Sequence, residues 1–150
     1  MNDPDASMPP PVIVDTNVVV AGLLSGRAGS PVMRVLDGML SASFPFVISE
    51  PLLAEYRVVL LRPSLRKAHG LTPDGIDSIL VELAQHAILL APRRAPPAPE
   101  PGDQHLWELL AAREDLVLIT GDRLLQQDAA LGGRIVSPAA FVERWLQTGR

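Results

Sequence analysis

The chain has 150 residues, 47% of them hydrophobic, a formal net charge of −4 and no cysteine. That length buries roughly 70% of the unfolded surface, enough for a core without staples, and the missing cysteines exclude disulfides, thiolate zinc sites and a cysteine nucleophile. The acidic balance argues against a generic nucleic-acid coat; no apolar run approaches the ~20 residues of a membrane span, so no membrane contact is expected, and the lack of cysteine suits a cytoplasmic location.

Residues 1–10 carry neither the basic flank nor the apolar core of a signal peptide. They are expected to form a flexible tail ahead of a single domain over 11–150. The stretch PVIVDTNVVVAGLL, 11–24, begins as a buried strand at 12–14 and breaks on Asp15, Thr16 and Asn17. Ser30-Pro31 supplies an N-cap and a first-turn proline for a helix with Val32, Val35, Leu36, Met39 and Leu40 on one face. A second apolar run, 44–48, predicts a strand. Ser49 then caps a helix carrying Leu52, Leu53, Tyr56, Val59 and Leu60. Thr72-Pro73-Asp74 opens another, with Ile76, Ile79, Leu80 and Leu83 on its stripe. A strand follows at 87–90. The segment APRRAPPAPEPG, 91–102, holds five of the 15 prolines and predicts an extended surface connection. Asp103 opens the helix DQHLWELLAAR, strands follow at 116–119 and 134–136, and Ser137-Pro138 opens a last helix with Phe141, Trp145 and Leu146 inward. Strands alternating with helices predict an α/β fold, a mainly parallel central sheet covered on both faces.

Parallel strands end on one side, and ligands bind in the crevice beyond those ends. Asp15 follows the strand 12–14, and Asp122, in LVLITGDRLL, follows the strand 116–119. If these strands are neighbours, the two carboxylates share a crevice. Asp103 begins a helix at the same end of the layer, and Glu55 falls at the edge of the Leu52/Tyr56/Val59 face. Carboxylates converging there repel and raise one another's pKa unless a cation neutralises them. Oxygen donors without cysteine or a histidine pair point to Mg²⁺ or Mn²⁺, ions suited to phosphodiester cleavage. Each acid alone has an ordinary alternative: Asp15, Asp103 and Asp122 as helix caps or turn residues, Glu55 as a solvated helix residue.

Arg57, Arg62, Arg66, Lys67 and His69 form one basic stretch in an acidic chain. It suits contact with an RNA backbone, or equally the negative end of a helix dipole. Arg123 suits a phosphate or a neighbouring carboxylate. His69, His86 and His105 lack metal-like spacing and receive no role. Trp107 and Trp145 are expected in the core or at a dimer contact.

VIVDTNVVVAGLL, ISEPLLAEYRVVLLRPSLRK, and LVLITGDRLL followed by GGRIVSPAAF resemble, in that order and over roughly residues 12–146, the PIN-domain nucleases. The nearest likeness is to the bacterial subgroup of toxin components of toxin–antitoxin pairs. The resemblance implies a three-layer α/β/α sandwich and a ribonuclease dependent on Mg²⁺ or Mn²⁺. In it Asp15, Glu55, Asp103 and Asp122 would form the catalytic, metal-holding pocket, supported by Asn17 and Thr120. It further implies an RNA substrate, a cognate antitoxin and a homodimer. The chain departs from the pattern at Leu124, where many relatives carry an aspartate, and before Asp103, where only Glu100 stands nearby. A PIN fold retained for partner binding is the alternative. A receiver or aspartyl-phosphate phosphatase is the more distant one: Lys67, the sole lysine, lies in the wrong region, and Asn17 replaces the second acid of Asp-x-Asp.

Overall fold

Val12, Ile13 and Val14 are all buried, although successive side chains of a strand point to opposite faces of its sheet. Both faces are therefore covered, and the sheet is the middle of three layers. The computed structural model describes residues 8–128 and 133–146. The tail expected over 1–10 lies outside these through Ser7.

The first strand, β1 (Val12–Val14), is followed by helices α1 (Thr16–Leu24) and α2 (Pro31–Leu40), strand β2 (Val47–Ile48), helices α3 (Glu50–Leu60), α4 (Pro63–His69) and α5 (Pro73–His86), and strand β3 (Ile88–Leu89). A 3₁₀ turn over Pro101–Asp103 leads into α6 (Gln104–Leu110), then β4 (Val117–Ile119), α7 (Arg123–Gln126), β5 (Ile135–Val136) and α8 (Pro138–Phe141), which runs on as a π-helical turn over Val142–Leu146. β1 pairs with β4, β4 with β5 and β2 with β3, all in parallel. A parallel bridge from Val12 to Phe46 sets β2 beside β1. The order across the sheet is thus β3-β2-β1-β4-β5. The winding reverses between β1 and β4, and the crevice of an open parallel sheet lies beyond the strand ends at such a reversal.

The helix starts read from the sequence are the observed ones. Ser30, Ser49, Thr72 and Ser137 each accept a backbone N–H of the first turn, and each precedes a proline in that turn. The valines after Asn17 belong to α1, which the apolar pattern left unassigned: Val18, Val19 and Gly22 are buried and leave no polar stripe to mark a helical period. α1 crosses α2 closely at Gly22, where an added Cβ would stand 2.9 Å from both the Val32 carbonyl oxygen and the Leu36 Cβ. The carbonyl cannot move without displacing α2. Gly22→Ala is therefore expected to lower stability by about 1–2 kcal/mol despite alanine's better helix propensity, measurable by urea unfolding.

Tyr56 ties α3 to the sheet. Fully buried, it donates its hydroxyl to the Val14 carbonyl at the end of β1. Burial pushes its pKa strongly up, and Asp15 and Glu55 push the same way, so it stays a donor. Tyr56→Phe strands that carbonyl and is expected to cost about 1–3 kcal/mol, readable as a fall in the denaturant midpoint without a change in slope.

The proline-rich segment is extended as expected, and Gln104 clips it to α6. Its Oε1 accepts from Ala98 N at 2.8 Å, and its Nε2 donates to the carbonyls of Ala95 and Pro96. Trp107 is buried and Trp145 stacks on Phe141 with ring centroids 5.3 Å apart, so both serve the core.

Candidate active site

Beyond the ends of β1 and β4 lies a cleft of about 460 Å³. Asp15, Glu55, Asp103 and Asp122 line it together with Asn17 and Arg62, and Val20, Ala21, Leu24 and Val59 form its apolar side. The four acids come from four places in the chain, and the topology accounts for the meeting. β1 and β4 are neighbours in register, so Asp15 and Asp122 leave adjacent strand ends; α3 and α6 bring Glu55 and Asp103.

Asp15 occupies the N-cap position of α1, yet its side chain makes no cap bond. Its Oδ2 instead accepts from the Thr120 hydroxyl at 2.7 Å and the Asn17 amide at 3.3 Å. Its own N–H donates to Ile119 O at 2.9 Å, locking the two strand ends together. Asp103 likewise sits at the start of α6 without a side-chain cap bond. The capping alternative therefore fails for both. It holds for Asp122, whose Oδ1 accepts from Leu124 N at 2.9 Å.

Thr120 is the hub beneath these acids. Wholly buried, it donates to Asp15 and accepts from Asp122 N at 3.1 Å. Asn17 accepts from Gly121 N at 3.4 Å while donating to Asp15, a second tie between the same two strand ends. Both supporting residues thus touch Asp15 directly.

The electrostatics follow from burial. Asp15 is 6% exposed. Desolvation first, then the charges of Asp103 and Glu55, raise its pKa from 3.8 to about 6 against the opposing bonds from Thr120 and the Thr16 backbone. Asp103 is also raised, by desolvation first and then by Asp122 and Glu55. The carboxylates therefore feel one another across the cleft. Among the described residues no three acidic or histidine side chains are gathered closely enough to serve together as ligands of one ion. The donor set fits a hard divalent cation that keeps several of its waters, as Mg²⁺ does when one or two carboxylates hold it: it is all oxygen, charged, partly dry and spaced around the cleft. Asp15, Asp103, Asp122 and Glu55 are the acids that line the cleft and the candidates to hold it, no more than two of them directly.

The basic stretch divides. Arg62 lines the cleft. Arg57 does not: it forms an ion pair with Asp77 at 2.9 Å and borders a separate apolar groove between α3 and α5. Arg66, Lys67 and Arg123 are exposed and do not line the cleft. His69 bridges helix ends, its ring nitrogens meeting the Leu60 carbonyl and Leu71 N at 3.0 Å each.

Two contributors have no signature in the sequence. Thr16 donates its hydroxyl to Glu55 Oε1. His105 places Nε2 3.2 Å from Glu55 Oε2. Thr16 hides in the strand-end tripeptide as the neighbour of Asp15. His105 stands two residues after Asp103, and only its position in the first turn of a helix beginning at the strand ends could have drawn attention to it.

Comparison with curated protein sequences finds no match. The sequence profile of the PIN domain matches residues 11–124, three quarters of the chain, from the start of β1 to just beyond Asp122. The parallel sheet with its reversal at β1 and β4, the acids at those strand ends and this match lead to one assignment: the chain belongs to the PIN domain family.

Proposed function

We propose that the chain is an endoribonuclease that hydrolyses RNA phosphodiesters with Mg²⁺ or Mn²⁺ in the acidic cleft, and that residues 11–150 act as one nuclease domain. PIN domains are typically nucleases and generally use these ions. The observation that carries the proposal is the meeting of four carboxylates from β1, α3, α6 and β4 in one cleft, with the most buried of them, Asp15, raised to about 6. Uncompensated, such a set is a liability, because each charge disfavours the others.

Asp15, Asp103, Asp122 and Glu55 would hold the cation. When bound, it neutralises these acids and the phosphate and makes water a stronger nucleophile at neutral pH. Thr120 and Asn17 fix the direction of the Asp15 carboxylate. Arg62, at the rim, meets a phosphate of the flanking RNA. The carboxylates hold and orient and form no covalent bond to the substrate. The motif resemblance further supports a toxin role, with a cognate antitoxin, a homodimeric state and a cytoplasmic location.

The test is cleavage of an end-labelled RNA oligonucleotide with Mg²⁺, Mn²⁺ or EDTA. Cleavage with either ion, lost in EDTA and in Asp15→Asn, is expected. Equal cleavage by the variant would refute the assignment, and no cleavage by a folded protein with either ion would favour a PIN fold retained for partner binding. Arg62→Ala is expected to weaken RNA binding with little effect on the rate at saturating RNA, and to flatten the salt dependence of binding by about one phosphate contact, measured by fluorescence anisotropy.

A further inference from the structure

Glu55 projects from α3 at the edge of its buried stripe, with its side chain 34% exposed. Its charge acts against Asp15 and Asp103. A flexible glutamate side chain in that position gains both rotamer freedom and relief from repulsion by swinging into solvent. It does not, because each carboxylate oxygen is held by a different helix: Oε1 by the Thr16 hydroxyl of α1, Oε2 by His105 Nε2 of α6.

The histidine makes this contact at a cost. Oε2 is an acceptor, so Nε2 carries the hydrogen. Nδ1 is then buried without a hydrogen-bond partner among the described residues, an arrangement that disfavours the fold. α6 has no need of an imidazole for packing, since Leu106, Trp107, Leu109 and Leu110 already bury its inner face. A side chain that weakens the fold and touches an acid of the cleft is explained by what it does to that acid.

We propose that His105 is the positioning residue for Glu55, its Nε2–H working with the Thr16 hydroxyl to hold the carboxylate in the rotamer that faces the cleft. The role rests on the cation-binding function proposed above. His105 does not itself line the cleft, and among the described residues Glu55 is the one acid of the cleft it bonds.

Two near-isosteric variants separate this role from a packing role. In His105→Gln the amide nitrogen falls near the position of Nε2 and can still reach Glu55. In His105→Asn it falls near Nδ1 and cannot. Mn²⁺ binding is followed by the loss of the free-ion electron paramagnetic resonance signal, and metal-free thermal unfolding is recorded alongside. Losing a partner that orients a ligand commonly weakens metal affinity by about 10–100-fold. His105→Asn is expected to bind Mn²⁺ at least about tenfold more weakly with no loss of metal-free stability, and His105→Gln to bind within a few-fold of the unaltered chain. Equal Mn²⁺ affinity in all three proteins, or weakening that merely tracks a lost melting temperature in both variants, would overturn the role. Failure of the unaltered chain to bind Mn²⁺ would sink the proposed function instead. The clamp is then read directly by long-range ¹H–¹⁵N correlation of the His105 ring. A protonated Nε2 that responds to Glu55→Gln is expected, and a ring protonated at Nδ1 and insensitive to that change would show that no clamp exists.

Discussion

Asp15→Asn should abolish cleavage and, in the same metal-free protein, raise stability. Loss of activity by more than about a hundredfold is expected, beyond the range for residues that merely orient a ligand. The stability gain follows from the pKa. In the fold the carboxyl is raised to about 6 from 3.8. Between those values the folded state keeps a proton that the unfolded chain has given up, so stability falls as pH rises through this window. The difference corresponds to roughly 3 kcal/mol at pH 7. Asparagine has no charge to desolvate, and its carboxamide oxygen still accepts from Thr120. A gain of about 1–3 kcal/mol over the unaltered chain is therefore expected at pH 7, shrinking toward zero below pH 4. Urea unfolding of both proteins at several pH values isolates the Asp15 charge together with its repulsion from Asp103 and Glu55, because acids outside the cleft cancel in the difference. A variant that is less stable at pH 7, or a difference that does not vary with pH, would show that the Asp15 charge is well accommodated without a cation.

Thr120→Val should be nearly as damaging, and in the opposite direction for stability. Valine matches threonine in shape but removes the hydroxyl that donates to Asp15 and accepts from Asp122 N. The bond to Asp15 is the largest influence lowering that group's pKa, so its loss pushes the pKa further up and leaves the carboxylate still less favourable in ionised form. The Asp122 N–H loses its partner as well. A stability loss of about 2–3 kcal/mol is expected, in the range for a buried charged group deprived of a bond, together with a roughly 10–100-fold drop in activity. The drop should be largest near pH 6, where less of the Asp15 population is ionised, and part of it should be recovered at higher pH. Thr120→Ser, which restores the hydroxyl, should return most of both. An activity loss independent of pH would place the role of Thr120 elsewhere.

Much of this site could be read from the chain because its acids sit where local signals are strongest. Serine or threonine followed by proline fixed the helix starts, and short apolar runs fixed the strand centres, so the strand-end acids Asp15 and Asp122 and the helix-opening Asp103 could be named. β1 spans the expected 12–14, but the other strands proved shorter than their apolar runs. Only Val47–Ile48 of the run 44–48 pairs as a strand, since Pro45 has no N–H to give a ladder and Phe46 pairs with Val12 as an isolated bridge. α1 was not legible because after Asn17 it is apolar on every side and shows no polar stripe, and α4 because it has no buried residue to set a stripe. The clamp on Glu55 was beyond reach for another reason: Thr16 and His105 lie 39 and 50 residues from it in sequence. Nothing local distinguishes a histidine that meets a distant carboxylate from one on a solvated helix end. Arg57 illustrates the converse, since its place in a basic stretch gave no sign that Asp77, on α5, would take its charge.

The proposed function requires that the acidic cleft be under electrostatic strain that a divalent cation relieves. Thermal unfolding at pH 7 with increasing Mn²⁺ tests it most directly. An ion bound only by the folded chain at a hundred times its dissociation constant adds about 2.7 kcal/mol, which for a chain of this length lifts the melting temperature by about 5–10 °C. That rise is expected for the unaltered protein and not for Asp15→Asn, which should begin higher and stay flat. A melting temperature unmoved by millimolar Mn²⁺, or one that rises equally in both proteins, would contradict the account.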